Sequence, residues 1–296
     1  MIVLLNAPAG QRSNLGNQLF QLAFGLYLEY ELRVKVRYFI RKPSSVKPWS
    51  LSVERAEQLV ESLIPPDAFT ATRGLTDSVM RFGTLIPGLT IGDEALSLHA
   101  TCPPTYVRHR LLVNGYFQNY FYPEIMRIEL LNRFERSVHF NTTSTTSTEQ
   151  IAVHVRLGDY LANTKNRHIY GSMGLNFYHD SIKFLVNKTG IRSVCVVSDD
   201  PSRAYAMIAT AVRAIPKLEV SKSDGSVLED FRTLASSRAV VISNSTFAWW
   251  AAWLGNARFE THVVLPRPWY ADPQLDGSGL MNPKWTAIFR GESDSA

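Results

Sequence analysis

Only two cysteines, Cys102 and Cys195, occur in the 296 residues. That is too few for the disulfide framework of a small secreted domain. No cluster of Cys and His has zinc-ligand spacing. Cys195 lies inside SVCVVSDD, an apolar run in which a free thiol packs as a small hydrophobe. No apolar run approaches the roughly 20 residues that span a bilayer, which excludes a transmembrane segment and leaves peripheral membrane contact open. The opening MIVLLNAPAG lacks the basic leader of a secretory signal and reads as the first strand of a soluble, cytoplasm-facing chain. No internal repeat is visible. Neither the glycine-rich dinucleotide fingerprint nor the P-loop signature is present, which argues against those two phosphate sites. No Asp-x-Asp triplet occurs, so the simplest carboxylate clamp for a nucleotide-bound metal is missing. Neutralising a diphosphate then falls to arginine and to helix N-termini.

What is present is a chain rich enough in apolar residues, 45% against 19% charged, to bury real cores. Its length fits two domains better than one. The net charge of +5 suits an anionic small substrate. The clearest basic patch is RVKVRYFIRK. There Arg33, Lys35 and Arg37 alternate with Val34 and Val36, the period of a half-exposed strand. No nucleic-acid motif accompanies it, so the expectation is a solvated strand face and no nucleic-acid partner.

Apolar strand-like runs at 2–5, 34–39, 111–116, 151–156, 193–198, 240–243 and 262–266 alternate with helical periodicity near 15–31, 51–63, 119–136, 175–188, 201–213, 227–237 and 246–254. Unbroken apolar strands alternating with helices imply parallel sheets covered on both faces. The stretch NTTSTTST buries almost nothing and reads as a linker. The expected organisation is therefore an α/β domain over 1–140, a Ser/Thr-rich linker over 141–150 and a second α/β domain over 151–296, two Rossmann-like units facing a cleft.

In open parallel sheets ligands sit beyond the carboxyl ends of the strands, so the residues just after each strand are the ones to inspect. After the first strand, Gly16, Asn17 and Gln18 open a helix; they either cap it or offer free N–H groups to an anion. In HVRLGDY, His154 and Arg156 share one face and Val153 and Val155 the other. Arg156 is either half of a structural ion pair or a fork for phosphate oxygens. Asp159 either holds Arg156 in place or accepts a proton from a sugar hydroxyl. In SDDPSRAY, Ser198 and Asp199 precede a helix that starts at Asp200-Pro201; the acidic pair is also placed to accept from a guanine edge or ribose hydroxyls. In VVISNSTFAWWAAWLG, a strand runs into four polar residues, and Asn244-Ser245 can cap the helix that follows. Ser243, Asn244, Ser245 and Thr246 form a neutral cradle suited to a diphosphate. Trp249, Trp250 and Trp253 either pack that helix on the sheet or stack on a sugar, and Gly255 is a fitting helix end.

Together LGNQLFQLAFG, NGYFQNYFY, HVRLGDY, VVSDD and ISNSTFAWWAAWLG resemble the α-1,2-fucosyltransferases of glycosyltransferase family 11. They occur in the family's order and span most of the chain; HVRLGDY and SNSTFAWWAAWLG are the specific ones. The resemblance implies the two-domain GT-B fold and inverting transfer of fucose from GDP-fucose to the 2-hydroxyl of a terminal β-galactoside on an oligosaccharide or glycan, with no metal. It implies Arg156 on the β-phosphate, His154 beside the nucleotide, and Ser198 and Asp199 on the guanosine side. Ser243, Asn244, Ser245, Thr246 and Phe247 would hold diphosphate and fucose, and Gly16, Asn17 and Gln18 would reach in from the first domain. Arg156, Asp159 and His154 are the catalytic candidates, with Asp159 the first choice of general base. The chain departs from the family where Ser13-Asn14 replace two glycines. It has no anchor before its first strand, like bacterial members, which implies a cytoplasmic or membrane-peripheral setting. Two other readings remain: an O-fucosyltransferase acting on a protein hydroxyl, and a non-catalytic carbohydrate-binding protein using the aromatic clusters Tyr116–Tyr122 and Trp249–Trp253.

Overall fold

The computed structural model describes residues 2–6, 15–41, 60, 62–64, 69–72, 90–92, 112–137, 139–140, 146–158 and 164–291. Cys102, Asp159, residues 141–145 of the Ser/Thr-rich stretch and nearly all of the helix expected over 51–63 lie outside the described residues. The chain divides into two compact units, Met1–Asn141 and Thr142–Ala296. Strand β6 already begins at Thr148, inside the stretch read from composition as linker. Thr is a good strand former once a neighbouring strand is there to pair with.

Unit 1 is built on five parallel strands in the order β3-β2-β1-β5-β4. They are β1 Ile2–Asn6, β2 Lys35–Arg41, β3 Phe69–Thr72, β4 Thr90–Gly92 and β5 Leu112–Asn114. Helix α1, Leu15–Leu32, buries nearly its whole length, consistent with a sequence apolar on almost every face. Phe24 stacks on Phe117 with centroids 4.1 Å apart and meets Tyr122 edge-on at 4.8 Å. The expected helix over 119–136 is two pieces, α2 Phe121–Ile125 and α3 Arg127–Arg136, parted at Met126. In RVKV the strand begins only at Lys35, which is exposed with Val36 buried; Arg33 stands before it, exposed and left-handed at φ 53°, so its place in the alternation is not that of a strand residue.

Unit 2 contains a six-stranded parallel sheet, order β11-β10-β9-β6-β7-β8. Its strands are β6 Thr148–Val155, β7 Ser193–Ser198, β8 Glu219–Lys222, β9 Ser237–Val241, β10 His262–Arg267 and β11 Thr286–Phe289. Its helices are α4 Thr164–Tyr170, α5 Leu175–Thr189, α6 Pro201–Val212, α7 Val227–Ser236 and α8 Thr246–Phe259. Read from β8, this is the doubly wound order 3-2-1-4-5-6. The winding reverses between β6 and β9, so the crevice beyond their carboxyl ends is the topological switch point.

Side-chain alternation along β6 builds the two layers. Ile151, Val153 and Val155 join the buried cluster of Phe177, Tyr178, Ile182 and Leu185 from α5 and Ala204, Ile208 and Val212 from α6. His154 takes the other face, its ring 6.0 Å from that of Phe247 in α8. Trp249, Trp250 and Trp253 are fully buried. Trp249 donates Nε1–H to the Leu280 carbonyl at 2.9 Å and meets Trp285 at 5.1 Å. They pack, and no face is left to stack on a sugar. Three such residues on one helix contribute on the order of 3–5 kcal/mol each against truncation.

Gly255 does not end α8, which continues to Phe259 and closes on Glu260 in the left-handed conformation, φ 55°. A Cβ at Gly255 would stand 2.7 Å from the Ala235 carbonyl oxygen, so this glycine serves the close approach of α7 and not a turn.

Candidate functional site

The β6 and β9 strand ends lie side by side, with Val153 opposite Val241, and the residues that follow them meet. His154 and Ser243 pair through Nδ1 and Oγ at 2.8 Å. Both are almost inaccessible, 4% and 1% exposed. Burial first, then the Arg156 charge, lowers the His154 pKa to about 3, with Asp199 pulling weakly the other way. The imidazole is therefore neutral at ordinary pH.

Arg156 Nη1 lies 3.2 Å from Asp199 Oδ2. The β6–β7 register explains the pairing: Val155 stands opposite Ser198, so residues 156 and 199 leave the sheet together. Asp199 also accepts the backbone N–H groups of Leu157 at 3.0 Å and Gly158 at 2.9 Å. Burial raises the Asp199 pKa, but Arg156 and these two N–H bonds outweigh it and hold the carboxyl below its ordinary value. A Cβ on Gly158 would meet Asp199 Oδ2 at 2.6 Å, so glycine is what lets the carboxylate close on the backbone. Asp199, assigned above to the guanosine side, thus spends its oxygens on Arg156 and the 157–158 backbone. Among the described residues, Asp199 makes an ion pair with Arg156; Asp159, the partner that sequence offered, lies outside them.

Ser198 Oγ accepts from Asp200 N at 3.1 Å. Asp200 is the N-cap of α6, accepting from Arg203 N at 3.2 Å, with Pro201 in the first turn. The cradle before α8 differs from its expected form. Ser245 is the N-cap but makes no side-chain cap bond. Asn244 does not cap; its amide donates to the carbonyls of Tyr170 at 2.8 Å and Trp269 at 3.1 Å. The first turn of α8 therefore takes no side-chain cap bond from Ser245, and Thr246 and Phe247 begin it half-buried. Phe247 lies between His154 and Phe231, 6.0 and 5.5 Å away by ring centroids.

The structure thus brings His154, Arg156, Ser198, Asp199 and Ser243 to Phe247 to the carboxyl end of the sheet at the switch point. Gly16, Asn17 and Gln18 belong to unit 1, where Asn17 Oδ1 accepts from Gln118 at 2.9 Å and Gln18 is buried in the first turn of α1. One residue that motif reading missed is Arg290, 5% exposed, just past β11. Its guanidinium donates to the same Tyr170 and Trp269 carbonyls as Asn244, at 2.6 and 3.3 Å, and to Ser172 O at 3.2 Å. The signal for it, an arginine ending the run TAIFR, needed β11 to be recognised as a strand. Among the described residues no three His, Cys, Asp or Glu side chains gather as a metal site, and no helix is long and apolar enough to cross a membrane.

Residues 99–289 match the model of glycosyltransferase family 11. An α-1,2-colitosyltransferase of Escherichia coli is 30% identical over 149 residues, 48% of this chain and 48% of that protein. The O-antigen biosynthesis glycosyltransferase WbnK of Escherichia coli is 30% identical over 135 residues, 44% of this chain and 40% of that one. The chain thus spans about half the length or less of these curated relatives. Among solved structures, E. coli heptosyltransferase WaaC with ADP is similar at TM-score 0.46 and 12% identity, covering 98% of this chain and 93% of that one. POFUT1 in complex with GDP is similar at TM-score 0.42 and 13% identity, covering 98% of both. With the family match extending over more than half of its length, from before β5 to the end of β11, this chain belongs to glycosyltransferase family 11.

Proposed function

We propose that the chain transfers fucose from GDP-fucose to the 2-hydroxyl of a terminal β-galactoside, with inversion. The observation that carries this reading is Arg156, set at the switch point by Asp199 and 31% exposed, beside an α8 start without a side-chain cap. A guanidinium whose position is fixed in advance stabilises charge as it develops on a leaving diphosphate. In the proposed step the acceptor oxygen attacks C1 of fucose as the C1–O bond to the β-phosphate breaks. The bonding pair leaves with GDP and the hydroxyl proton passes to a base. We assign His154 no proton transfer: a base of pKa about 3 holds a proton poorly at neutral pH. Asp159 stays the candidate base from its place in HVRLGDY. We read the reaction as metal-independent, the diphosphate charge being met by arginine and N–H groups.

The name of the colitosyltransferase relative favours one second reading, transfer of colitose, which is fucose without its 3-hydroxyl. Protein hydroxyls are a less supported acceptor. The carbohydrate-binding reading loses Trp249, Trp250 and Trp253, which are buried.

Calorimetric titration with GDP, GDP-fucose and GDP-mannose in EDTA, followed by transfer assays on β-galactosides, tests the proposal. Binding of GDP without metal and transfer of fucose are expected. Arg156→Ala should cut turnover roughly 10²–10³-fold with folding intact. Near wild-type turnover in that variant would remove Arg156 from the mechanism. Absence of GDP binding at millimolar concentration would remove the donor.

A further inference from the structure

The site as assembled is short of positive charge. Arg156 already faces the ionised Asp199 at 3.2 Å. His154 is neutral, and Ser243, Asn244, Ser245 and Thr246 carry no charge. Asp200 adds a carboxylate, used at the start of α6. A nucleoside diphosphate would bring more than one negative charge to a place where, among the described residues, the side chains sum to none in its favour.

Arg290 is the opposite case, a buried positive charge with no carboxylate against it among the described residues. Among those residues its guanidinium donates to the carbonyls of Tyr170, Ser172 and Trp269. Its own backbone ties it down on both sides: its N–H donates to Arg267 O at 3.0 Å and its carbonyl accepts from Gly174 N at 3.2 Å. The chain makes room for it, since a Cβ on Gly171 would stand 2.7 Å from Nη2. Burying an arginine is costly even when its hydrogen bonds are met.

The charge is linked to the candidate site through carbonyls that it shares with Asn244. Nη2 of Arg290 and Nδ2 of Asn244 share the Tyr170 carbonyl, at 2.6 and 2.8 Å, and Ser243, the residue before Asn244, holds His154. Tyr178, buried between α5 and the sheet, senses both charges: Arg290 pulls its pKa down and Asp199 pushes it up, while burial dominates and raises it well above the ordinary value.

We propose that Arg290 is the second positive charge of the diphosphate site, a positioning residue that acts through the Tyr170 and Trp269 carbonyls on Asn244 and through its field on the phosphates, with the bound ligand as its counter-ion. This rests on the donor-site reading above. It predicts that the worth of Arg290 grows with each phosphate on the ligand. A mere scaffold would weaken all ligands alike.

The test titrates the full chain with guanosine, GMP and GDP, comparing wild type with Arg290→Met and Arg290→Lys, and uses thermal melting to check folding. Met keeps the bulk and removes the charge; Lys keeps the charge and loses the fork. Arg290→Met should lower GDP affinity about tenfold or more, GMP less, and guanosine under about twofold. Arg290→Lys should keep the gain in affinity per phosphate within about threefold of wild type. Equal loss on all three ligands, or no loss on any, overturns the proposal. Should the Met variant not fold, Arg290→Gln, which removes the charge and keeps an amide donor for the carbonyls, decides: a loss that grows with each phosphate supports the proposal, and an equal loss or none overturns it. Wild-type protein that binds none of GDP, UDP and ADP overturns this proposal and the donor reading together. Wild-type protein that binds UDP or ADP instead overturns only the guanosine assignment, and the same series on that base then judges Arg290.

Discussion

His154 is buried against Ser243 and can stay there only while neutral. Its folded pKa, about 3 against an ordinary 6.5, means that protonation favours the unfolded chain. Stability should therefore decline as pH falls from 6.5 toward 3, with a slope of about 1.4 kcal/mol per pH unit from this one group. Urea unfolding of wild type and His154→Gln across that range measures it; the variant should lose this share of the slope, and an unchanged slope would mean the imidazole is not held neutral. Asp199 acts in the same direction, but at lower pH. Its lowered pKa is a stabilisation present above its ordinary 3.8 and lost only as pH drops further, so the two windows separate. Asp199→Asn should leave folding above pH 4 weakened, and should lower kcat more than it raises KM for the donor, because Arg156 would keep its charge and lose its fixed direction. Steady-state kinetics with melting curves check this; a change in KM alone would return Asp199 to ligand binding. At this scale HVRLGDY and SNSTF were legible as polar residues after apolar strands. The partner of Arg156 was not, because Asp199 lies forty-odd residues on and reaches it only through the Val155–Ser198 register.

Helix α8 shows why element ends are harder to read than element types. Its sequence has a glycine after the tryptophans, the ordinary mark of a helix end. Packing overrides the mark: Gly255 lies against the Ala235 carbonyl, and the chain stops instead at Glu260 with φ 55°. Two substitutions should then act against intuition. Gly255→Ala, which improves helix propensity by about 1 kcal/mol, should destabilise by about 1–3 kcal/mol, because the atom it meets is backbone and cannot turn aside. Glu260→Gly, which removes a side chain from a left-handed position, should stabilise by about 0.5–1 kcal/mol. Thermal melting of both variants checks the pair; a stabilised Gly255→Ala would mean that α7 moves freely on α8. The same contest of local signal and context explains the strands that periodicity missed. Edge strand β8 is EVSK, with exposed charges, and edge strand β11 buries neither face fully. β8 lacks the apolar run that marks β6, β7 and β9 because an edge strand has one side to the solvent and carries charge there; β11, TAIF, carries no charge but is only four residues long.

At the scale of the whole chain, the alternation of strands and helices made the α/β class legible, and the central strands were placed within a few residues. The strand order was not legible, because it is set by which apolar faces meet across the sheet and leaves no mark at any single position. That order is what makes β6 and β9 neighbours and gathers His154, Arg156, Asp199, Ser243, Asn244 and Arg290 within Thr142–Ala296. Unit 2 also has its own core, running from Ile151 to Val264 through α5, α6 and four strands, at a size where a domain buries about 70% of its extended surface. Residues 142–296 expressed alone should therefore unfold cooperatively in urea and bind GDP. They should transfer no sugar, lacking Gly16, Asn17 and Gln18 and everything else that unit 1 supplies. Circular dichroism, calorimetry and a transfer assay on the same preparation check the three parts. A folded unit 2 that binds no GDP would place essential donor contacts in unit 1, whereas a unit 2 that melts without cooperativity would show that its core depends on residues before Thr142.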